Sequence, residues 1–272
     1  MKKVVVSGSF NNIKSCDVRF LHEASKLGEL TVLLWSDDLF ELLEGKKPEF
    51  PQAERKYFVE SVRYVYQVIF IDNLSNRDEI PQTNKITPEI WAVTEKEDNT
   101  VKRSFCSKHG IQFSLIKESD LQLFPIIPFK FDSVTSNLKV IVSGSFDWLH
   151  TGHVRFFEET SKLGDLYVIV GHDQNLHLLK GDGHPMFPEN ERLYMVQSIR
   201  FVKEALISTG HGWMDAEPEI EKIMPDIYAV NEDGDVPEKR EFCRQHKLQY
   251  VVLRRTPKPG LIARQSTNLR GF

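Results

Sequence analysis

The chain has 272 residues, enough for two domains of ordinary size, and a net charge of −4 with acidic and basic residues interspersed. That balance gives neither the basic footprint of a nucleic-acid binder nor a polybasic membrane patch, so any anionic ligand must be held by a local site. Three cysteines, Cys16, Cys106 and Cys243, are odd in number and outside metal-ligand spacing, which argues against a disulfide framework or a zinc site. No apolar run approaches the roughly 20 residues of a membrane span, and MKKVVVSGSF turns polar too early for a signal peptide, so the expected compartment is the cytoplasm.

The elements alternate between strand and helix, and they do so twice. VVVSGSF (4–10) reads as a strand buried on both faces, followed by the amphipathic run VRFLHEASKLGEL (18–30), then ERKYFVESVRYV (54–65), PEIWAVTE (88–95) and FCSKHGIQFSLI (105–116). At an offset of 136 the first two recur as VIVSGSF (140–146) and VRFFEETSKLGDL (154–166). After a one-residue slip the others recur as ERLYMVQSIRFV (191–202), PDIYAVNE (225–232) and FCRQHKLQYVVL (242–253). In the second half the helix after the first strand packs through Val154, Phe157, Ser161 and residues 163–166, with Gly164 near its end. LYVIVGHD (166–173), EALIST (204–209), DIYAVNE (226–232) and QYVVLRR (249–255) are strands; ERLYMVQSIRFV and REFCRQHKL (240–248) are helices. The expected domains are 1–120 and 138–272, joined by a connector over 121–137 whose Phe and Ile content predicts packing on one domain. Strands separated by helices predict parallel, doubly wound sheets with ligands beyond the carboxyl ends of the strands.

That edge of the second half gathers groups able to hold phosphate. SGSFDWLHTGH ends the first strand and opens a helix, so small residues and a helix N-terminus meet there. His150 and His153 are spaced to converge on one phosphate, donating hydrogen bonds as charge builds on its oxygens. The alternative is a pair of ordinary surface or core histidines. Lys180 in LLKGDGHP and Arg254 and Arg255 in VVLRRT fall at the same edge, and Ser266 and Thr267 in QSTNLRGF are expected to open a short final helix. Imidazole, ammonium, guanidinium and free N–H groups together point to a polyphosphate.

SFDWLHTGH resembles the (H/T)xGH signature of the nucleotidyltransferase superfamily. IRFVKEA (199–205) resembles the RYVDEV element of its cytidylyltransferase branch, and VVLRRTPKPGLIARQST (251–267) resembles that branch's RTxGISTT element with an insertion. The resemblance covers the second half and implies two tandem Rossmann-like α/β domains of nucleotidyltransferase type. It implies that His150 and His153 contact the triphosphate and stabilise the transition state, that Ser143, Gly144, Ser145 and Phe146 form the adjoining backbone cradle, and that Lys180 neutralises phosphate. Gly152 belongs to the signature itself, and Asp147 flanks the site beside Trp148, a packing residue. Arg255, Thr256, Ser266 and Thr267 are expected on the leaving β- and γ-phosphates, and Asn231, Glu232 and Asp233 on base and ribose. Arg192 is read either as a phosphate cation or as a salt-bridged helix residue, and Arg200 either as a substrate contact or as a brace.

The implied reaction transfers CMP from CTP to a phosphorylated alcohol or sugar and releases pyrophosphate, with Mg2+ held mainly by the triphosphate. QSTNLR also resembles the SSTxxR ending of adenylyltransferases, so ATP on a sugar phosphate is the alternative; a nucleotide-binding regulator without turnover is the alternative from another class. In the first half the matching positions are Lys14 for His150, Cys16 for Gly152, Asp17 for His153, Glu44 for Lys180, Glu118 for Arg255 and Ser119 for Thr256. Carboxylates there repel a triphosphate, so this copy is expected to be non-catalytic or to serve a different, regulatory ligand. The two halves are expected to pack as an intramolecular pseudo-dimer, with a homodimer as a further arrangement.

Overall fold

The computed structural model describes residues 1–81, 86–130, 136–264 and 269. The chain divides into two compact units, Met1–Phe124 and Pro125–Gly271. The first runs β1 (Lys3–Gly8), α1 (Ser15–Ser25), β2 (Glu29–Trp35), α2 (Asp37–Glu44), α3 (Gln52–Ser61), β3 (Gln67–Ile71), β4 (Ile90–Thr94), α4 (Thr100–His109), β5 (Gln112–Ile116) and α5 (Glu118–Leu121). The second runs β6 (Lys139–Gly144), α6 (Thr151–Thr160), β7 (Asp165–Val170), α7 (Asp173–Lys180), α8 (Glu189–Gln197), β8 (Glu204–Ile207), α9 (Glu217–Ile223), β9 (Ile227–Asn231), α10 (Pro237–Gln245) and β10 (Gln249–Leu253).

The sheets have the same order, β3-β2-β1-β4-β5 and β8-β7-β6-β9-β10, with every pair parallel. They are two tandem Rossmann-like α/β domains. The central strands show why these residues make this fold. Val4, Val5 and Val6, like Val140, Ile141 and Val142, are fully buried, so each β-branched run is covered on both faces. Burying such a side chain is worth about 1.5–3 kcal/mol. The order of strand addition reverses at β6, with β7 on one side and β9 on the other, and that split opens a crevice beyond the carboxyl ends of β6 and β9. Glycine is required where the chain enters β7: a Cβ on Gly164 would lie 2.1 Å from the Leu138 carbonyl oxygen, and one on Gly28 would lie 2.2 Å from that of Lys2.

Three boundaries differ from the expected ones. Helix α8 stops at Gln197, five residues early. The Ser198 hydroxyl bonds back to Tyr194 O at 2.8 Å, Ile199 and Val202 turn into the core, and the Lys203 N–H joins Leu166 O at 2.8 Å to start β8. Helix α7 has no expected counterpart, because its N-cap is His172, whose Nδ1 accepts from the Asn175 N–H at 3.2 Å, and imidazole is outside the usual set of caps. The connector is shared between the units. Leu121 is buried in the first, with Asp120 O accepting from Arg19 Nε at 2.8 Å. In the second, Ile127 exchanges backbone bonds with the Gln197 amide (3.0 and 2.9 Å), and Phe129 packs beside Tyr167. No helix among the described residues is long and apolar enough to cross a membrane.

Candidate active site

Between β6 and α6 the chain makes a tight exit. Phe146 adopts φ +47°, a left-handed conformation unusual for a bulky residue. Its buried ring packs on His153 (centroids 5.4 Å apart) and Phe157 (5.1 Å), so the strained turn seats the second histidine. Helix α6 then starts with His150 as its N-cap. His150 Nδ1 accepts from the Gly152 N–H at 3.0 Å, and the His150 N–H points back at His153 Nδ1 at 3.4 Å. The spacing of the signature is thus a capping arrangement: one imidazole takes a free donor of the first turn, and the next takes the cap's own N–H. Gly152 is required by the close approach, since a Cβ there would lie 2.7 Å from His150 Cε1 and 2.9 Å from its Nδ1.

This capping fixes the chemistry of His150. Its Nδ1 is an acceptor, so the proton resides on Nε2, and that Nε2 is buried with no hydrogen-bond partner among the described residues. A buried N–H left unpaired carries a penalty of about 1–3 kcal/mol, which a ligand oxygen would remove. Burial first, then the charges of Arg255 and Arg264, lower the His150 pKa to about 3. Burial, His150, Arg255 and Lys180 together hold His153 well below the ordinary histidine value, against an opposing backbone hydrogen bond at Trp148. The rings stand 4.0 Å apart, and two imidazolium charges at that distance would repel each other. Both are neutral at pH 7. Lys180, at the end of α7, reaches back to donate to Ser145 Oγ at 2.8 Å. The structure therefore brings His150, His153, Lys180 and Arg255 to one edge of one sheet.

Next to them is a cavity of about 210 Å³ between the first turns of α6 and the segment leaving β10. Gly152, Asn231, Glu232, Arg255 and Thr256 are among its lining residues. Arg255 is tethered there: its guanidinium pairs with Asp233 and donates to Arg264 O at 3.2 Å, while its N–H faces Glu232 Oε1 at 3.4 Å. Arg264, another lining residue, was not singled out in the sequence; a cation two residues before the Ser-Thr pair was the available signal. Ser266 and Thr267 lie outside the described residues.

Arg192 follows the second of its two readings, the salt-bridged helix residue, and three other expectations are corrected. Arg192 is a framework residue, buried, donating to Phe187 O (2.9 Å), Ser145 O (2.5 Å) and Gly171 O (2.7 Å) and paired with Asp173 at 2.7 Å. It ties the ends of β6 and β7 to the start of α7. Arg200 is exposed in the turn that leads into β8, at the amino end of that strand and so at the opposite edge from the crevice. Asp147 is buried and spends both oxygens on the 184–187 loop, accepting from Met186 N (2.7 Å), Phe187 N (3.1 Å) and His184 Nδ1 (3.0 Å). Ser143 remains within the strand, its hydroxyl 2.7 Å from the buried Tyr228 hydroxyl. Within the proposed cradle, Gly144 O accepts from Gly171 N at 3.0 Å.

The matching edge of the first unit has the same frame with different ends. Phe10 has φ +46°, and Arg55 donates to Phe50 O, Ser9 O and Trp35 O and pairs with Asp37, as Arg192 does in the second unit. Asp17 accepts from the Lys14 N–H at 2.8 Å, taking the bond that His153 takes in α6. Glu44 pairs with Arg77 at 3.1 Å, and Glu118 with Lys96 at 2.7 Å.

A neutral imidazole with an unfilled inward N–H stands among cations at a strand-to-helix turn, an arrangement suited to donating to an anionic oxygen. A family model described as cytidylyltransferase-like matches residues 141–256, within the second unit. The FAD synthase of Ferroglobus placidus is 39% identical over 119 residues, covering 43% of this chain and 74% of the relative. That of Methanocella paludicola is 40% identical over 121 residues, covering 43% and 83%. A solved structure described as the lipopolysaccharide core biosynthesis protein from Thermoplasma volcanium is 27% identical, covering 45% of this chain and 99% of its own, with a TM-score of 0.37. The chain belongs to the cytidylyltransferase-like family and is a nucleotidyltransferase.

Proposed function

We propose that the second unit transfers AMP from ATP to a phosphomonoester, with FMN the first acceptor to test. The observation that carries the transfer is the buried, unpaired Nε2–H of His150, held in place by the helix it caps. The choice of ATP over the CTP that the strand-end motifs favour rests on the relatives named FAD synthase. FAD is FMN joined to AMP, so making it by nucleotidyl transfer takes ATP. The QSTNLR ending, similar to that of adenylyltransferases, supports the same donor.

In this reading an oxygen of the acceptor phosphate attacks the α-phosphorus of ATP. The bond to the β-phosphate breaks, and pyrophosphate leaves with the electron pair. No side-chain nucleophile is needed; the protein positions the two phosphates and offsets their charge. His150 donates to an oxygen of the α-phosphate as negative charge grows there, with His153 beside it. Lys180 and Arg255 stabilise the departing pyrophosphate.

No group of three or more His, Cys, Asp or Glu among the described residues is placed to hold a metal. Asp147 and Asp233 have protein partners already. Those residues fit a Mg2+ carried on the triphosphate and not one caged by the protein. Such an ion would supply positive charge against the triphosphate in addition to that of Lys180 and Arg255.

The test is pyrophosphate release by the full chain given ATP or CTP with FMN, glycerol 3-phosphate or a sugar phosphate. Release with ATP well above that with CTP supports the reading. Preference for CTP would restore the cytidylyl assignment, and binding of triphosphate without release would defeat transfer.

A further inference from the structure

The exits of β9 and β10 are neighbours, with Asn231 opposite Leu253 in register. Two interactions join them. Glu232 Oε1 faces the Arg255 N–H, and the Asp233 carboxylate takes Nη1 of the Arg255 guanidinium while Arg264 O takes Nη2. In the first unit the same two interactions recur: Glu95 Oε2 accepts from the Glu118 N–H at 2.7 Å, and Lys96 pairs with Glu118. Lys96 occupies the place of Asp233 and Glu118 the place of Arg255, so the ion pair is kept with its polarity reversed. The surrounding turn is also repeated. Lys102 and Lys239 donate to the carbonyls of Glu97 and Gly234, and Arg103 and Arg240 pair with Asp98 and Asp235.

A tie that accepts either polarity is a property of the frame and not of any one ligand. In the second unit it happens to hold the cation that lines the cavity beside Gly152. We propose that Asp233 is the positioning residue of Arg255, restraining its guanidinium toward the imidazole pair so that the departing pyrophosphate meets it already in place. An arginine released from such a partner spreads over many rotamers, and re-ordering it on binding weakens affinity. Asp233 thus acts through Arg255 and not by reading base or ribose. This inference rests on the triphosphate reading of the cleft.

The experiment uses the full chain and inorganic pyrophosphate as the probe, by titration calorimetry, with steady-state kinetics on the triphosphate alongside. Asp233→Asn should weaken pyrophosphate about tenfold, the scale of ordering one long side chain, raising KM for the triphosphate while kcat changes by about twofold or less. Asp233→Glu should recover most of the affinity, and Asp233→Asn should add nothing in an Arg255→Ala background, where Lys180 remains to bind the probe. The reversed pair Asp233→Lys/Arg255→Glu should melt like the unaltered chain yet fail to bind pyrophosphate. Tighter binding by Asp233→Asn, or an equal loss in the Arg255→Ala background, would overturn the proposal, the first by showing competition and the second direct contact with nucleotide. Failure of the unaltered chain to bind pyrophosphate would instead overturn the triphosphate reading beneath it.

Discussion

At the start of α6 an imidazole takes the cap's N–H and a second imidazole folds over a glycine; at the start of α1 a carboxylate takes the same N–H, and a cysteine stands where the glycine was. The left-handed phenylalanine, the buried arginine with its three carbonyls, and the tie between the last two strand exits are common to both units. What separates a phosphate-handling edge from its counterpart is therefore a handful of end groups on a shared frame. Residues that serve the frame recur with their bonds, whereas residues that serve the ligand change charge or shape. That distinction settles Arg192, for which the sequence alone left two readings, as a residue of the frame.

The comparison can be broken most severely at the imidazoles. His150→Ala should lower pyrophosphate release by about 10²–10³, the size of losing one preorganised donor to a developing oxyanion, while Lys14→Ala leaves it unchanged. Equal losses from both would place function in both halves. Gly152→Cys writes the first unit's residue into the second and drives a Cβ into the His150 ring. Turnover should drop by about 10-fold or more, the scale of a misplaced donor, and the reverse change Cys16→Gly should have no effect on rate. Arg55→Ala and Arg192→Ala each leave buried carbonyls and an aspartate without a partner. Each should destabilise its own unit by about 3 kcal/mol in denaturant unfolding, with similar size in the two. A large loss at one and none at the other would end the claim of a common frame.

The smallest effect is in pH. His150 is held neutral in the folded chain down to about pH 3, whereas an unfolded histidine takes its proton near 6.5. The unfolded state therefore binds more protons between those values, and stability falls as pH drops from about 6.5 toward 3. The slope from one such group reaches about 1.4 kcal/mol per pH unit. His150→Gln should flatten the acid limb of the second unit's unfolding transition by up to that amount, and an unchanged limb would mean that the imidazole is less enclosed than its capping position implies.

Much of this was legible in sequence because the repeat supplied two readings of each element. β-Branched runs at 4–6 and 140–142 read as doubly covered strands, and the order of strand and helix then limits the sheet to few topologies. The convergence of His150, His153 and Arg255 followed from their standing just beyond the carboxyl ends of β6 and β10, whereas Lys180 comes to the same edge from the end of α7 by reaching back to Ser145. Helix α7 was not legible, since a histidine cap carries no propensity signal, and neither was the early end of α8, where Ile199 and Val202 leave the helix for the core. The roles of Arg192 and Asp147 were hidden for a different reason. Their partners lie up to 47 and 40 residues away, in carbonyls and N–H groups that no side-chain pattern reveals.

The most direct test of the central claim watches the atom that carries it. With the full chain labelled at histidine nitrogen and His150→Gln used for assignment, the Nε2 resonance of His150 should show a bound proton in the free protein. On addition of ATP without an acceptor that proton should shift downfield and become protected from exchange. ATP binding that leaves the His150 Nε2 proton unmoved would show that the unpaired imidazole is not the α-phosphate donor and would contradict the account.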